Sequence, residues 1–142
     1  MEIKFCKNRI NLIHSFGISR SSNDYYDIIY VYILDGDIIA RGEAAPSKRY
    51  HESTELILSV LKKGLNLPES SSSKEHLWNF LKPQLKGISS LEAAVNMAVW
   101  DWSAQKEKLP LFKMFGFKDE ILPKTSYTIA IGSLNELDER LE

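Results

Sequence analysis

The side chains best suited to recognising a ligand lie close together in residues 15–23, where Phe16, Ile18 and Arg20 punctuate an otherwise polar, glycine-containing stretch. A guanidinium offers a rigid fork of donors that matches a carboxylate bidentately, and apolar neighbours would keep water from that pairing. On that reading the segment is a lid, with Phe16 and Ile18 covering a ligand and Arg20 meeting its carboxylate. On the plainer reading Phe16 and Ile18 fold back onto the core and Arg20 is solvated. Spacing alone leaves both open.

The remaining chemistry-bearing residues nominate no reaction. His14, His51 and His76 are far apart and match no metal-ligand spacing. Cys6 falls in an alternating pattern, which predicts a packed or half-buried side chain, and nothing supplies it with a base. Glu43 and Glu52 flank a loop and read as unrelated surface carboxylates. Asp101 and Lys106 read as the solvated face of a helix. No glycine-rich phosphate loop, nucleophile elbow or paired-carboxylate motif occurs.

The elements that must position these residues follow from periodicity. Residues 1–14 alternate around Ile3, Phe5, Ile10 and Leu12, a half-buried strand. Residues 15–23 are expected to be a loop. Aromatic and β-branched residues at 25–34 predict a second strand, and Asp35-Gly36 is a hairpin signal into a third strand over 37–43. Leu56, Ile57, Val60 and Leu61 then recur at helical spacing, with Gly64 as an end signal. Ser72 and Glu75 have capping-box spacing ahead of a helix over 74–81, ended by Pro83. Ser89 and Glu92 have the same spacing ahead of the strongest helix, 91–106, striped by Leu91, Ala94, Val95, Ala98, Val99 and Trp102. Ala93, Ala94 and Ala98 would let another backbone approach closely. Pro110 opens a short turn closed by Gly116, residues 118–123 form a linker, and 125–131 read as a buried strand leading into a new helix.

The 142 residues suit one ordinary domain, and 44% hydrophobic with 26% charged residues is a globular rather than a disordered composition. A formal net charge of -1 and the lack of a basic cluster argue against nucleic acid or an anionic membrane as partner. One cysteine cannot form an intramolecular disulfide, and neither a membrane-span run nor a signal-peptide core is present. A cytoplasmic location is the expectation. Taken together, the fold class is α+β: a three-stranded antiparallel meander followed by a helical bundle.

The order of motifs adds a resemblance. Phe16-x-Ile18-Ser19-Arg20, then Gly42-Glu43-Ala44-Ala45-Pro46 and Tyr50-x-Glu52, resemble the amino-terminal capping domain of the enolase superfamily. Ala93-Ala94-x-x-Met97-Ala98-x-Trp100-Asp101, Lys106 and Pro110-Leu111-Phe112-x-x-x-Gly116 resemble the muconate-lactonising subgroup. Thr125-Ser126-Tyr127-Thr128-Ile129 is similar to the first barrel strand of the dipeptide epimerases. The family pattern has glycine after the arginine, where this chain has Ser21.

That resemblance implies a capping domain over residues 1–122 and the first strand and helix start of a TIM barrel over 123–142. It implies a full-length enzyme that holds Mg²⁺ on three acidic residues and inverts an α-carbon next to a carboxylate using two lysines. The expected substrate is a dipeptide, and the expected assembly a homo-oligomer. Phe16 and Ile18 would be apolar lid contacts, Arg20 the partner of a substrate carboxylate, and Thr128 a wall of the site. The lysines and metal ligands are expected beyond Glu142, so the 142 residues by themselves are expected to be inert. The alternatives are a free-standing α+β binding or assembly module, and a muconate cycloisomerase or o-succinylbenzoate synthase type of enzyme.

Overall fold

A computed structural model of the chain describes residues 1–18, 21–71, 73–118, 124–126 and 128. Three strands form one sheet in the order β1 (Glu2–Ile18), β2 (Ser21–Asp35), β3 (Ile38–Ala44). The helices that follow are α1 (Thr54–Leu61), α2 (Lys74–Leu81), α3 (Ser89–Glu107) and the single turn α4 (Leu111–Met114), with 3₁₀ turns at Lys48–Tyr50 and Lys82–Leu85. This is the expected meander followed by helices. Met1–Asn8 and Asp27–Lys118 make up one compact unit, and Arg9–Tyr26 falls in another. No helix among the described residues is long and apolar enough to cross a membrane.

The turn between β2 and β3 is Gly36-Asp37, one residue later than Asp35-Gly36, because Asp35 already pairs with Ile38. Gly36 takes φ +60°, which a glycine adopts without the Cβ clash that other residues meet. On β2, Ile29, Val31 and Ile33 face the core with no exposed surface, while Tyr30 and Tyr32 between them are half-buried on the other side. Cys6 is half-buried as expected, its Sγ 3.9 Å from the Tyr32 hydroxyl.

On β3 the core-facing positions are small: Ala40, Gly42 and Ala44. The long helix α3 lies against them through the predicted stripe, with Leu91, Ala94, Val95, Ala98, Val99 and Trp102 all buried. The small residues decide how close the two backbones come. A Cβ on Gly42 would overlap the Ala94 carbonyl oxygen and lie 3.0 Å from the Ala98 nitrogen. Ala94 and Ala98 make this approach; Ala93 is exposed.

Side chains of α3 also bond across the seam. Asp101 accepts the Arg41 backbone N–H at 2.8 Å, and Gln105 donates to the Ile39 carbonyl at 3.0 Å. The Trp102 indole N–H donates to Asp35 at 2.8 Å. The expected solvated pair is corrected for Asp101, which is half-buried and satisfies a strand N–H; Lys106 is exposed as expected, and it also lies over the Trp102 ring at 4.5 Å and donates to the Ser71 carbonyl. Ile57, Val60 and Leu61 from α1, Leu77 and Leu81 from α2, and Leu85 complete the core.

Local capping signals were partly displaced. The α2 cap is Ser73, whose Oγ accepts the His76 N–H at 3.2 Å, and Ser72 lies outside the described residues. For α3 the N-cap position is Ile88, which has no side-chain acceptor, and Ser89 is already helical. The acceptor comes from elsewhere in the chain: a Glu52 oxygen takes the Ser90 N–H at 3.2 Å. Glu52 is 8% exposed, so it is not the surface carboxylate that its sequence setting suggests.

At the start of α1, Ser53 caps the Leu56 N–H and Glu55 occupies the first turn. Hydrogen bonds from its own backbone N–H, Thr54 and Ser53, with a smaller share from Lys7, lower the Glu55 carboxyl to about 2. Lys7 reaches Glu55 at 3.4 Å and Asp27 at 3.1 Å. A carboxyl titrating below its ordinary value of 4.5 adds stability above that pH, and the contribution fades as pH falls toward 2. The stability advantage of the wild type over Glu55→Gln should therefore be largest near pH 6 and shrink at pH 2. Thermal melts across that range check this; an equal difference at both ends would contradict it.

Candidate functional site

Pairing extends the first two strands through what the composition suggested was a loop. Residues 15–18 are the end of β1 and 21–23 the start of β2, leaving only 19 and 20 between them. Strand partners satisfy the backbone groups that a polar composition alone would assign to solvent. Side-chain contacts between the strands, and one within β2, line this ribbon. Ser15 donates to Asp24, the Arg9 guanidinium lies 3.8 Å from the Tyr25 ring centre, and the Asn23 amide reaches the Tyr26 hydroxyl at 3.4 Å. The ribbon is also unusually apolar outside: Ile13 is 94% exposed, and Ile10, Tyr25 and Tyr26 are exposed too.

Of the four residues nominated from the sequence, Phe16 is in β1 and half-buried, and Ile18 is the last residue of β1. Arg20 lies outside the described residues. Thr128 is exposed and outside any strand, as are Lys124, Thr125 and Ser126. The other positions of the expected strand over 125–131, and the apolar set Leu122, Ile129, Ile131 and Leu134, lie outside the described residues. No contact among the four nominated residues is seen among the described ones.

The second loop, residues 45–53, is built tightly. The Ser47 carbonyl accepts the N–H groups of Tyr50 at 3.0 Å and Glu52 at 3.2 Å, and its hydroxyl accepts that of Arg49 at 3.3 Å. His51 takes the left-handed φ of 57°, bonding back to the Lys48 carbonyl. Tyr50 is left 63% exposed at the surface of this turn. The loop is then anchored through Glu52 to the start of α3. The sequence reading missed Glu52; the one signal for it was an acid just ahead of the Ser53 cap, with no local donor to claim it.

Among the described residues no group of three or more His, Cys, Asp or Glu side chains could hold a metal ion. The described residues thus offer a tightly built turn at 45–53 in one unit and a strand ribbon over Arg9–Tyr26 in the other, and among them neither a metal cluster nor a nucleophile with its base is found.

No family model matches the sequence. An L-Ala-D/L-amino acid epimerase of Flavobacterium johnsoniae is 24% identical over 100% of this chain and 43% of its own length. An L-Ala-D/L-Glu epimerase of Bacillus subtilis is 32% identical over 78% of this chain and 31% of its own length. A dipeptide epimerase of Methylococcus capsulatus, solved with Mg and the dipeptide L-Arg-D-Lys, matches with a TM-score of 0.84 and 27% identity. That match covers 99% of this chain and 41% of the other. The chain has the amino-terminal capping fold of the enolase superfamily. It spans about two-fifths of the length of the curated relatives matched along all of it. Within the capping fold, the ribbon Arg9–Tyr26 and the turn around Tyr50 are among the described segments that leave large apolar side chains exposed, as are α3 at Met97 and the stretch from Leu109 to Phe117.

Proposed function

We propose that this chain is the amino-terminal, substrate-covering part of a Mg²⁺-dependent dipeptide epimerase that inverts an α-carbon next to a carboxylate. The match to the Methylococcus capsulatus structure over 99% of the chain carries the reading, and curated relatives that are themselves epimerases support it. The domain division is residues 1–122 for the cap and 123–142 for the start of a barrel. The described residues do not fit the metal, so Mg²⁺ and the acid–base groups are assigned to residues outside them. The enzyme is assigned to the cytoplasm as a homo-oligomer, with no nucleic-acid or membrane partner.

The cap contributes binding and water exclusion rather than proton transfer. Phe16 and Ile18 supply apolar contact, Arg20 pairs with a carboxylate on the substrate, and Thr128 lines the site. A tight turn on a rigid seam suits this role, because a lid that arrives in one geometry loses little entropy on closing.

The test joins this chain to the carboxyl-terminal three-fifths of the Methylococcus capsulatus enzyme and measures α-proton exchange of L-Ala-L-Glu in D₂O with Mg²⁺. Deuterium should enter the carboxyl-terminal residue of the dipeptide with the joined protein and stay at background with the 142-residue chain. Failure of the joined protein across a panel of dipeptides, or exchange by the short chain, would defeat the proposal. In the joined protein Arg20→Met should raise KM for L-Ala-L-Glu about tenfold, the loss of one charge-assisted hydrogen bond. L-Ala-L-Leu should be nearly unaffected, and an equal rise for both dipeptides would remove Arg20 from the site.

A further inference from the structure

The three-stranded sheet has two edges, and they belong to β1 and β3. An edge strand presents a row of N–H and carbonyl groups that can pair with another extended chain. In an antiparallel pair, alternate residues turn both backbone groups toward the partner or both away from it. The Arg41 N–H and the Ile39 carbonyl bond to α3, so residues 39 and 41 of β3 are those that turn away from β2.

Both of these outward groups are taken by side chains one helical turn apart. Asp101 accepts the Arg41 N–H at 2.8 Å, and Gln105 donates to the Ile39 carbonyl at 3.0 Å. A parallel strand laid along β3 would place one residue opposite Ala40, accepting from residue 41 and donating to residue 39. The two side chains therefore fill the place of one residue of a fourth strand. They reach it because Gly42 lets the α3 backbone come against the strand. Ile39 is 54% exposed, and Arg41 and Gln105 are exposed too, so this edge lies at the surface of the described residues.

We propose that Asp101 and Gln105 close the β3 edge against a strand from a second copy of this chain. The consequence depends on the other edge. With β1 and β3 both open, each copy could add its β1 to the β3 of the next, a head-to-tail contact that grows into a ring or a filament. With β3 closed, a β1 edge can pair only with another β1, and association by strand addition ends at two copies.

Sedimentation and amide exchange of the 142-residue chain carrying Asp101→Ala with Gln105→Ala test this. At low concentration the Arg41 amide should exchange at least about tenfold faster than in the wild type, having lost its bond to a charged acceptor. As concentration rises, the double variant should form species larger than dimers in excess of the wild type, and the Arg41 amide should become protected again. Asp101→Asn keeps an oxygen for the Arg41 N–H and should sediment as the wild type does. Leu77→Ala empties a buried site on α2 and leaves both edge side chains in place, so it too should sediment as the wild type. Gln105→Ala alone changes an exposed side chain and should associate at concentrations between those of the wild type and the double variant. No excess association of the double variant overturns the inference. So does association with the Arg41 amide still unprotected, which places the contact elsewhere. Equal association of Leu77→Ala overturns it as well, by making lost stability the cause. If the double variant is unfolded, wild-type sedimentation of Gln105→Ala overturns it.

Discussion

Gly42→Ala is expected to destabilise the chain by about 2–3 kcal/mol, a fall in melting temperature of about 6–12 °C for a domain of this size. Two effects of opposite sign compete. Alanine restricts the unfolded chain more than glycine does and on that account would stabilise a strand by about 0.5–1 kcal/mol. The added methyl, however, meets the Ala94 carbonyl oxygen and comes within 3.0 Å of the Ala98 nitrogen. Both are backbone atoms of a helix and cannot swing aside as a side-chain tip would. The helix must lift from the strand, loosening Val95, Ala98 and Trp102 and straining the Asp101 bond to the Arg41 N–H. The overpacking cost is the larger. Thermal and urea melts decide the sign, and a Gly42→Ala chain as stable as wild type would mean the two backbones are not in contact.

Glu52→Ala is expected to cost about 2 kcal/mol, more than a surface glutamate would. Its carboxylate accepts the Ser90 N–H at 3.2 Å, at a helix start whose own cap residue, Ile88, has no acceptor. Removing it leaves a backbone donor unsatisfied beside the positive end of α3 and frees the turn at residues 47–52. Glu52→Gln keeps a carbonyl acceptor and loses the charge, so it should cost about half as much. Amide exchange should show faster opening at Ser90 and its neighbours in the alanine variant while the middle of α3 stays protected. A loss below about 0.5 kcal/mol for Glu52→Ala would reduce the contact to an incidental one.

Neither position was singled out by the sequence: Glu52 read as a surface carboxylate, and Gly42 drew no packing reading. The alanines of α3 could be read as a face open to close approach, because side-chain volume is a property of residue type. The alternation of β2, the stripe of α3, the glycine of the β2–β3 turn and the proline before α4 were equally legible, since each depends on neighbours within a turn or two. The boundary of the ribbon was not. Residues 15–18 and 21–23 are polar enough to read as a loop, yet they pair as strands because each supplies the other's backbone bonds. The α2 cap moved from Ser72 to Ser73 in a serine run where spacing could not choose between neighbours.

What the sequence determined by itself was the set of elements, their order, the core-facing stripe of α3 and the family likeness of the whole, all carried by residue type and short-range period. The tertiary structure alone decided which partner each polar group takes. Glu52 meets Ser90 across 38 residues, Arg41 meets Asp101 across 60, and Asp35 meets Trp102 across 67. Short-range propensity is a property of the chain near one residue, whereas a buried donor or acceptor is satisfied by whichever group the packing of distant elements brings to it.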